Sequence, residues 1–289
     1  MEGYIYYPGC SAKGNAKHYE ESILPVFKEI GMPLDELKDW NCCGATAYFS
    51  VDDSLAAAIN GRNFSIAEKA QKDIIAPCAG CYLTLKKSNK FLNNGTEKAK
   101  KILAALDKAG CSYGGKVDVK HPLEILSQDD VIEKIKAKVT RPLKGLRVAC
   151  YYGCQVVRPY TDFDDPDYPT SLDRLMSAIG AEPVDFSAKT RCCGGSLTGT
   201  IEEVGVRLNY IILKEAKKKG ADVISTICPL CLFNLEILQH KMAKKYKDDV
   251  TMPILFFSQL IGLAMGISKE DLGFPRSIID LKPMWDKIG

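Results

Sequence analysis

Twice in this chain two adjacent cysteines stand directly before glycine, in "WNCCGATAYF" at 40–49 and in "TRCCGGSLTG" at 190–199. Each pair belongs to a longer set. The first is Cys10, Cys42-Cys43, Cys78 and Cys81, and the second is Cys154, Cys192-Cys193, Cys228 and Cys231. In both sets 34 residues separate the pair from the closing doublet, while 31 or 37 separate the single cysteine from the pair. The surroundings match as well: "IYYPGCS" with "CYYGCQ", "CCGA" with "CCGG", and "DIIAPCAGCYLTL" with "DVISTICPLCLFNL". A register held over so long a span makes the chain an internal duplication.

The secondary-structure signals between these landmarks repeat too. After each pair comes a helical stretch, with Leu55, Ile59, Ile66 and Ala70 on one face in the first copy and Val204, Leu208, Ile211 and Ile212 in the second. A short strand follows, "DIIAP" or "DVISTI", opening into the doublet and a further helix; in the second copy Leu232, Leu235, Leu238 and Met242 share its face. Strands alternating with helices predict an α/β protein: two tandem pseudo-symmetric lobes, each with a mainly parallel sheet and one cysteine set. Pro142 and Gly145 mark a turn before the buried strand "LRVACYY", so the lobes divide as 1–142 and 143–289, the second carrying a C-terminal helical extension. Helices are expected at 96–109, capped by Thr96, and at 129–138, and "DFDDPDYPT" at 162–170 reads as a solvated acidic connection. The stretch "FFSQLIGLAMG" predicts an amphipathic helix, packed on the core, on an electron-delivering protein or on a membrane partner.

A hydrophobic content of 46% over 289 residues is ample for a core without disulfides. The net charge of +3 gives no reason to expect nucleic acid or an anionic membrane surface as partner. The start "MEGYIYYPGC" lacks the features of an export signal, and "ILFFSQLIGLAMGI" at 254–267 falls short of the roughly 20 apolar residues of a spanning helix. A cytoplasmic protein without a transmembrane segment is expected, in a reducing compartment where twelve cysteines are poorly explained as disulfides.

Thiolates select zinc, copper(I) or iron–sulfur clusters. Structural zinc takes four ligands, whereas each copy here offers five, two of them adjacent and therefore better placed to grip different metal atoms. A strand, a C-x-x-C doublet and a helix also suit a thioredoxin-like redox pair, but thiol exchange has no use for the upstream pair. Ligand number thus favours a polynuclear cluster, although the local cysteine run of a simple ferredoxin is absent. Cys111 and Cys150 have no counterpart in the other copy and read as core thiols, with a substitute-ligand role for Cys150 as the sharper alternative. His18, His121 and His240 form no metal-binding pair, and no phosphate loop, dinucleotide fingerprint or nucleophile elbow occurs.

A single cysteine, "CCG" and a C-x-x-C doublet at these spacings resemble the cysteine-rich CCG domain, and two copies over the whole chain resemble the B subunit of heterodisulfide reductase. The resemblance implies an oxidoreductase acting on sulfur groups, with two noncubane [4Fe-4S] clusters, one held by Cys10, Cys42, Cys43, Cys78 and Cys81 and the other by Cys154, Cys192, Cys193, Cys228 and Cys231. It also implies that a small-molecule disulfide, such as that of coenzyme M and coenzyme B, is reduced to two thiols between the clusters. The implied partners are a [4Fe-4S] protein like the C subunit of that enzyme and a flavoprotein like its A subunit. Gln155, where the methanogenic form is expected to carry His, makes the chain more similar to the broad group of B-like proteins. An alternative is a non-catalytic electron-transfer subunit of a succinate or fumarate reductase-like, quinone- or flavin-linked oxidoreductase. Lys13, Lys17, Arg158, Lys189 and Arg191 are candidates to steer an anionic disulfide, or else ordinary solvated charges.

Overall fold

The computed structural model describes residues 3–45 and 48–288, with Phe49 and Ser50 described by backbone alone. Among the described residues eight strands form two four-stranded sheets. Strands β1 (Tyr4–Tyr6), β2 (Asp35–Glu36), β3 (Asp73–Ile75) and β4 (Val119–Lys120) pair in the order β2-β1-β3-β4; β5 (Arg147–Tyr151), β6 (Glu182–Pro183), β7 (Val223–Thr226) and β8 (Ile254–Phe256) pair as β6-β5-β7-β8. Every pairing is parallel, with Ile5 opposite Ile74 in one sheet and Ala149 opposite Ile224 in the other. The expected α/β duplication with mainly parallel sheets is thus what the chain forms. In each sheet the chain leaves the first strand to one side and returns to the other, so a topological switch point lies between β1 and β3 and again between β5 and β7. Ligands of open parallel sheets bind beyond the strand C-termini at such points.

The sequence repeat divides the chain near residue 143, but in space it groups differently. One compact unit comprises residues 1–13 and 34–122, and the other residues 14–33 and 123–289. The helix Lys17–Glu29 therefore belongs to the second unit, where Tyr19 stacks on Phe256 with centroids 4.0 Å apart and the Ser22 and Ser258 hydroxyls are 2.6 Å apart. Stacked aromatics of this kind contribute about 0.5–1.5 kcal/mol beyond the area they bury.

The helices after the cysteine pairs are Asp53–Lys69 and Glu202–Lys218, the first capped by Asp52, whose carboxylate accepts from the Ser54 N–H at 2.8 Å. Their buried faces differ from expectation, except that Ile212 is buried as expected. Leu55 and Val204 are exposed, while Ala56, Ala57, Asn60, Gly61, Phe64 and Ala67 in the first helix and Gly205, Val206, Asn209, Ile212 and Leu213 in the second are buried. The inward face mixes small and polar residues with large apolar ones, and Asn60 and Asn209 on it bond to the carbonyls of the cysteine pairs, so apolar periodicity alone misplaces it.

Helices at Glu97–Lys108, with Thr96 Oγ1 accepting from the Ala99 N–H, and at Asp129–Lys138 match expectation. The helix after the second doublet is split at Leu238 into Pro229–Ile237 and Gln239–Tyr246, with its four expected face residues buried. What reads as a C-terminal extension begins as sheet: "ILF" is β8, and the helix that follows, Phe257–Ala264, is buried on all sides rather than amphipathic. It packs against Lys17–Glu29, and an apolar helix surrounded by protein offers no docking stripe. No helix among the described residues is long and apolar enough to cross a membrane.

Candidate metal centres

Cys10 follows β1 on the short helix Gly9–Lys13, and Cys78 and Cys81 follow β3 at the start of the helix Ala79–Leu92, so single cysteine and doublet flank the switch point of their sheet. Cys42-Cys43 arrive on the loop after β2. The second copy repeats this arrangement with Cys154 after β5, Cys192-Cys193 after β6, and Cys228 and Cys231 after β7. The Sγ atoms of Cys43 and Cys81 are 3.3 Å apart, and those of Cys193 and Cys231 are 3.5 Å apart. Further thiol contacts join Cys42 to Cys43, Cys78 to Cys81, Cys154 to Cys192 and Cys228 to Cys231, while Cys10 lies within electrostatic reach of Cys42. All ten sequence-nominated cysteines thus gather as two groups of five.

Within each group exposure is graded. Cys43, Cys78, Cys81, Cys193, Cys228 and Cys231 are buried, Cys10, Cys42 and Cys192 are exposed, and Cys154 is half-buried. Acidities diverge as they must for crowded thiols sharing protons. Contacts from Cys42 and Cys81 hold Cys43 down, to about 4, and Cys154 holds Cys192 down, to about 6. Cys42, Cys81 and Cys154, on the other side of those contacts, are pushed up first by thiol contacts and then by burial, and contacts with Cys193 and Cys228 followed by burial push Cys231 up.

Backbone around the sulfurs is shaped by glycine. Gly9 and Gly153 adopt φ of +67° and +66°, and a Cβ there would lie 3.0 Å from Cys81 Sγ or 3.1 Å from Cys231 Sγ. Gly44 and Gly194, at φ of +78° and +74°, point their N–H groups at Cys42 Sγ (3.5 Å) and Cys192 Sγ (3.2 Å).

A supporting shell was not nominated from the sequence. Tyr7 and Tyr151, each three residues before the single cysteine, donate to the Asn41 carbonyl at 2.8 Å and the Arg191 carbonyl at 2.6 Å, the residues directly preceding the pairs. Burial, reinforced by the cysteines around them, drives both phenols far above their ordinary range. Asn60 and Asn209 donate to the carbonyls of Cys43 (3.1 Å) and Cys193 (2.7 Å). Asn234 adds a bond to the Cys193 carbonyl at 3.3 Å and another to Thr198 Oγ1 at 2.9 Å. The tyrosines are visible in the paired "IYYPGCS" and "CYYGCQ"; the asparagines fall 17 and 16 residues beyond the second cysteine of each pair, a match seen only once the helices are placed.

Other nominated residues lie elsewhere. Cys150 is a buried core thiol in β5, where burial first and then Asp173 push its pKa up against an opposing Lys189. Cys111 is not in the core: it is partly exposed on the turn after Glu97–Lys108, with its thiol 3.7 Å from the Ala109 carbonyl. Lys189 is neither a steering residue nor a solvated one. It is buried, 3.0 Å from both Asp173 and the Pro169 carbonyl, and its own carbonyl accepts from Tyr152 and Gly153. Lys17 and Arg191 are exposed, and Lys13 pairs with Glu36 at 2.7 Å. The 162–170 connection is ordered by its own acids: Asp164 caps the Thr170 and Ser171 N–H groups, and Asp165 those of Asp167 and Tyr168.

The donor set suits a polynuclear iron–sulfur group. Five crowded thiols cannot all ionise without compensating cations, and the glycines leave room against sulfur that a side chain would fill. Among the described residues, no three His, Cys, Asp or Glu side chains are arranged around a single-ion position.

Fold and site together define a duplicated α/β protein with a cysteine quintet at the switch point of each parallel sheet. The chain belongs to the cysteine-rich CCG domain family, whose model matches residues 4–86 and 148–236, and is a homologue of the B subunits of heterodisulfide reductases and of B-like proteins. It is 33% identical over 96% of its length to the 8-methylmenaquinol:fumarate reductase membrane anchor subunit of Wolinella succinogenes, covering 97% of that protein. It is 30% identical to the B subunit of the ferredoxin/F420H2-dependent CoB-CoM heterodisulfide reductase of Methanosarcina acetivorans, over 94% of this chain and 92% of the other. The B-subunit-like heterodisulfide reductase protein of Archaeoglobus profundus is 31% identical, over 93% of each chain. A hypothetical protein from Helicobacter pylori shares the fold with a TM-score of 0.76 and 18% identity; 95% of this chain matches 51% of that one, so the chain spans about half its length.

Proposed function

We propose that the chain is an iron–sulfur electron-transfer component of an oxidoreductase complex, and that it reduces a small-molecule disulfide to two thiols. The observation that carries this is the duplicated quintet with its graded exposure. Cys10, Cys42, Cys43, Cys78 and Cys81 would hold one [4Fe-4S] cluster of noncubane type, and Cys154, Cys192, Cys193, Cys228 and Cys231 the other. Such clusters supply one electron each when bound, and a disulfide takes up two electrons and two protons in becoming two thiols.

The residues divide the work accordingly. The buried sulfurs anchor each centre away from water, and the exposed Cys10, Cys42 and Cys192 form the edge open to a substrate. Tyr7 and Tyr151 stay protonated and hold the loops carrying the pairs, as do Asn60 and Asn209 from the helix side. In this reading a [4Fe-4S] protein of the C-subunit type delivers electrons and a flavoprotein of the A-subunit type feeds it, on the cytoplasmic side. The disulfide of coenzyme M and coenzyme B is one candidate substrate, supported by the Methanosarcina relative.

The Wolinella relative favours a second reading, an electron relay in a quinone-linked fumarate reductase. Anaerobic iron and sulfide analysis with electron paramagnetic resonance tests the shared part: about eight irons per chain are expected for two four-iron clusters, and an iron-free protein rules both readings out. Adding thiol to the oxidised protein separates them. A changed signal supports a substrate-binding centre, and an unchanged one supports the relay.

A further inference from the structure

The two quintets differ in the cation beside their solvent-facing thiols. In the first, Lys13 on the helix of Cys10 is held at 2.7 Å by Glu36, so its charge is offset. In the second, Arg158 stands four residues after Cys154, where the first repeat has Gly14. Its guanidinium donates to the Thr190 carbonyl, two residues before Cys192, and Cys154 and Cys192 are themselves in contact. The nearest carboxylate, Asp167, is 3.7 Å away on a side chain 85% exposed, a solvent-screened pair worth little. A guanidinium has five N–H donors in a planar fork that matches carboxylate or sulfonate oxygens, and one carbonyl occupies only part of it.

We propose that Arg158 is the specificity-determining residue of the second quintet, fixing the carboxylate or sulfonate end of an anionic thiol or disulfide beside Cys154 and Cys192. The identity of the ligand as a thiol or disulfide rests on the function proposed above; the preference for an acid group does not. Arg158 also pins the peptide ahead of the cysteine pair, as Tyr151 does at the next carbonyl, so the test must separate anion binding from positioning.

The full-length protein without clusters provides it. Iodoacetate and iodoacetamide alkylate the same thiolate and differ in charge, so the ratio of their rates cancels thiol acidity. Mass spectrometry of the Cys192 peptide should give an iodoacetate-to-iodoacetamide ratio about tenfold above that at Cys111, which lies outside both quintets. Arg158→Gln should bring the ratio down to the Cys111 value, and Arg158→Lys should keep most of it. A ratio at Cys192 that equals that at Cys111 in the wild type, or that survives Arg158→Gln, overturns the proposal. If Arg158→Gln does not fold, the wild type still answers: 1-propanesulfonate should slow iodoacetate at Cys192 and not at Cys111, and no slowing overturns the proposal. In the iron-loaded protein, 3-mercaptopropionate should bind more tightly than 2-mercaptoethanol, and Arg158→Gln should erase the difference; equal affinity in the wild type counts against Arg158. Disulfide turnover measured alongside is decided separately. A wild type that shows the anion preference yet reduces no disulfide refutes the function and leaves Arg158 as an acid-group binder.

Discussion

The Asn209 side-chain amide donates to the Cys193 carbonyl at 2.7 Å, tying the helix Glu202–Lys218 to the peptide between the second cysteine of the pair and Gly194. Asn60 makes the equivalent bond to Cys43 at 3.1 Å. The same Asn209 amide also reaches the Gly205 carbonyl at 2.7 Å, so one side chain satisfies two buried acceptors.

Asn209→Ala leaves the Cys193 carbonyl with only the longer bond from Asn234 and the Gly205 carbonyl with only its helical bond, and is expected to cost about 1 kcal/mol. Denaturant unfolding of the iron-free chain reads the loss. In the loaded protein the second centre should release iron to a chelator faster than the first, and equal release from both would show that the amide does not secure the pair.

Gly153→Ala places a methyl group 3.1 Å from Cys231 Sγ on a backbone at φ +66°. The strain alone is worth about 1–2 kcal/mol, and relief requires moving either the sulfur or the turn. The variant should reconstitute to about half the wild-type iron content. A full complement in the variant would mean that the turn can relax around the added carbon.

Tyr151→Phe removes the donor to the Arg191 carbonyl, with an expected stability cost of about 1 kcal/mol. Because burial keeps the phenol protonated throughout the working range, the substitution should leave the shape of any pH–rate profile unaltered. A profile whose basic limb moves in the variant would make Tyr151 a proton-transfer residue rather than a brace for the loop.

His18 is buried against Phe256, and burial holds its imidazole down to about 4, with Glu21 opposing and Arg276 adding to the fall. The unfolded chain binds a proton near pH 6.5 that the folded chain refuses until about pH 4. Stability is therefore complete above the unfolded value and declines as pH falls between the two, by up to about 3 kcal/mol. Denaturation of the wild type and of His18→Gln at pH 7.5 and 4.5 checks this: the variant should lose less on acidification, and parallel losses would clear His18 of the effect.

Cysteine spacing made the duplication, both parallel sheets and both quintets legible, because soft ligands at strand ends constrain sequence more tightly than apolar packing does. Apolar periodicity served where a helix meets ordinary core, as at Leu232, Leu235, Leu238 and Met242. It failed at Leu55 and Val204, where the helices instead turn Asn60 and Asn209 inward to the carbonyls of the cysteine pairs. Lys189 illustrates another limit: a lysine reads as surface unless its carboxylate partner is known, and Asp173 lies 16 residues away. Neither could sequence pattern show that "ILF" is a strand, since three apolar residues have no period of their own.

The membership of residues 14–33 in the second unit bears on how the chain is made. The helix Lys17–Glu29 is synthesised more than 200 residues ahead of Phe256, Phe257 and Ser258, which pack on it. At ordinary elongation rates that is an interval on the order of 10–50 s with Tyr19, Ile23 and Phe27 unsheltered. Exposed apolar surface of this kind is what chaperones shield, so the helix completes its packing only after β8 and the helix that follows it have been synthesised.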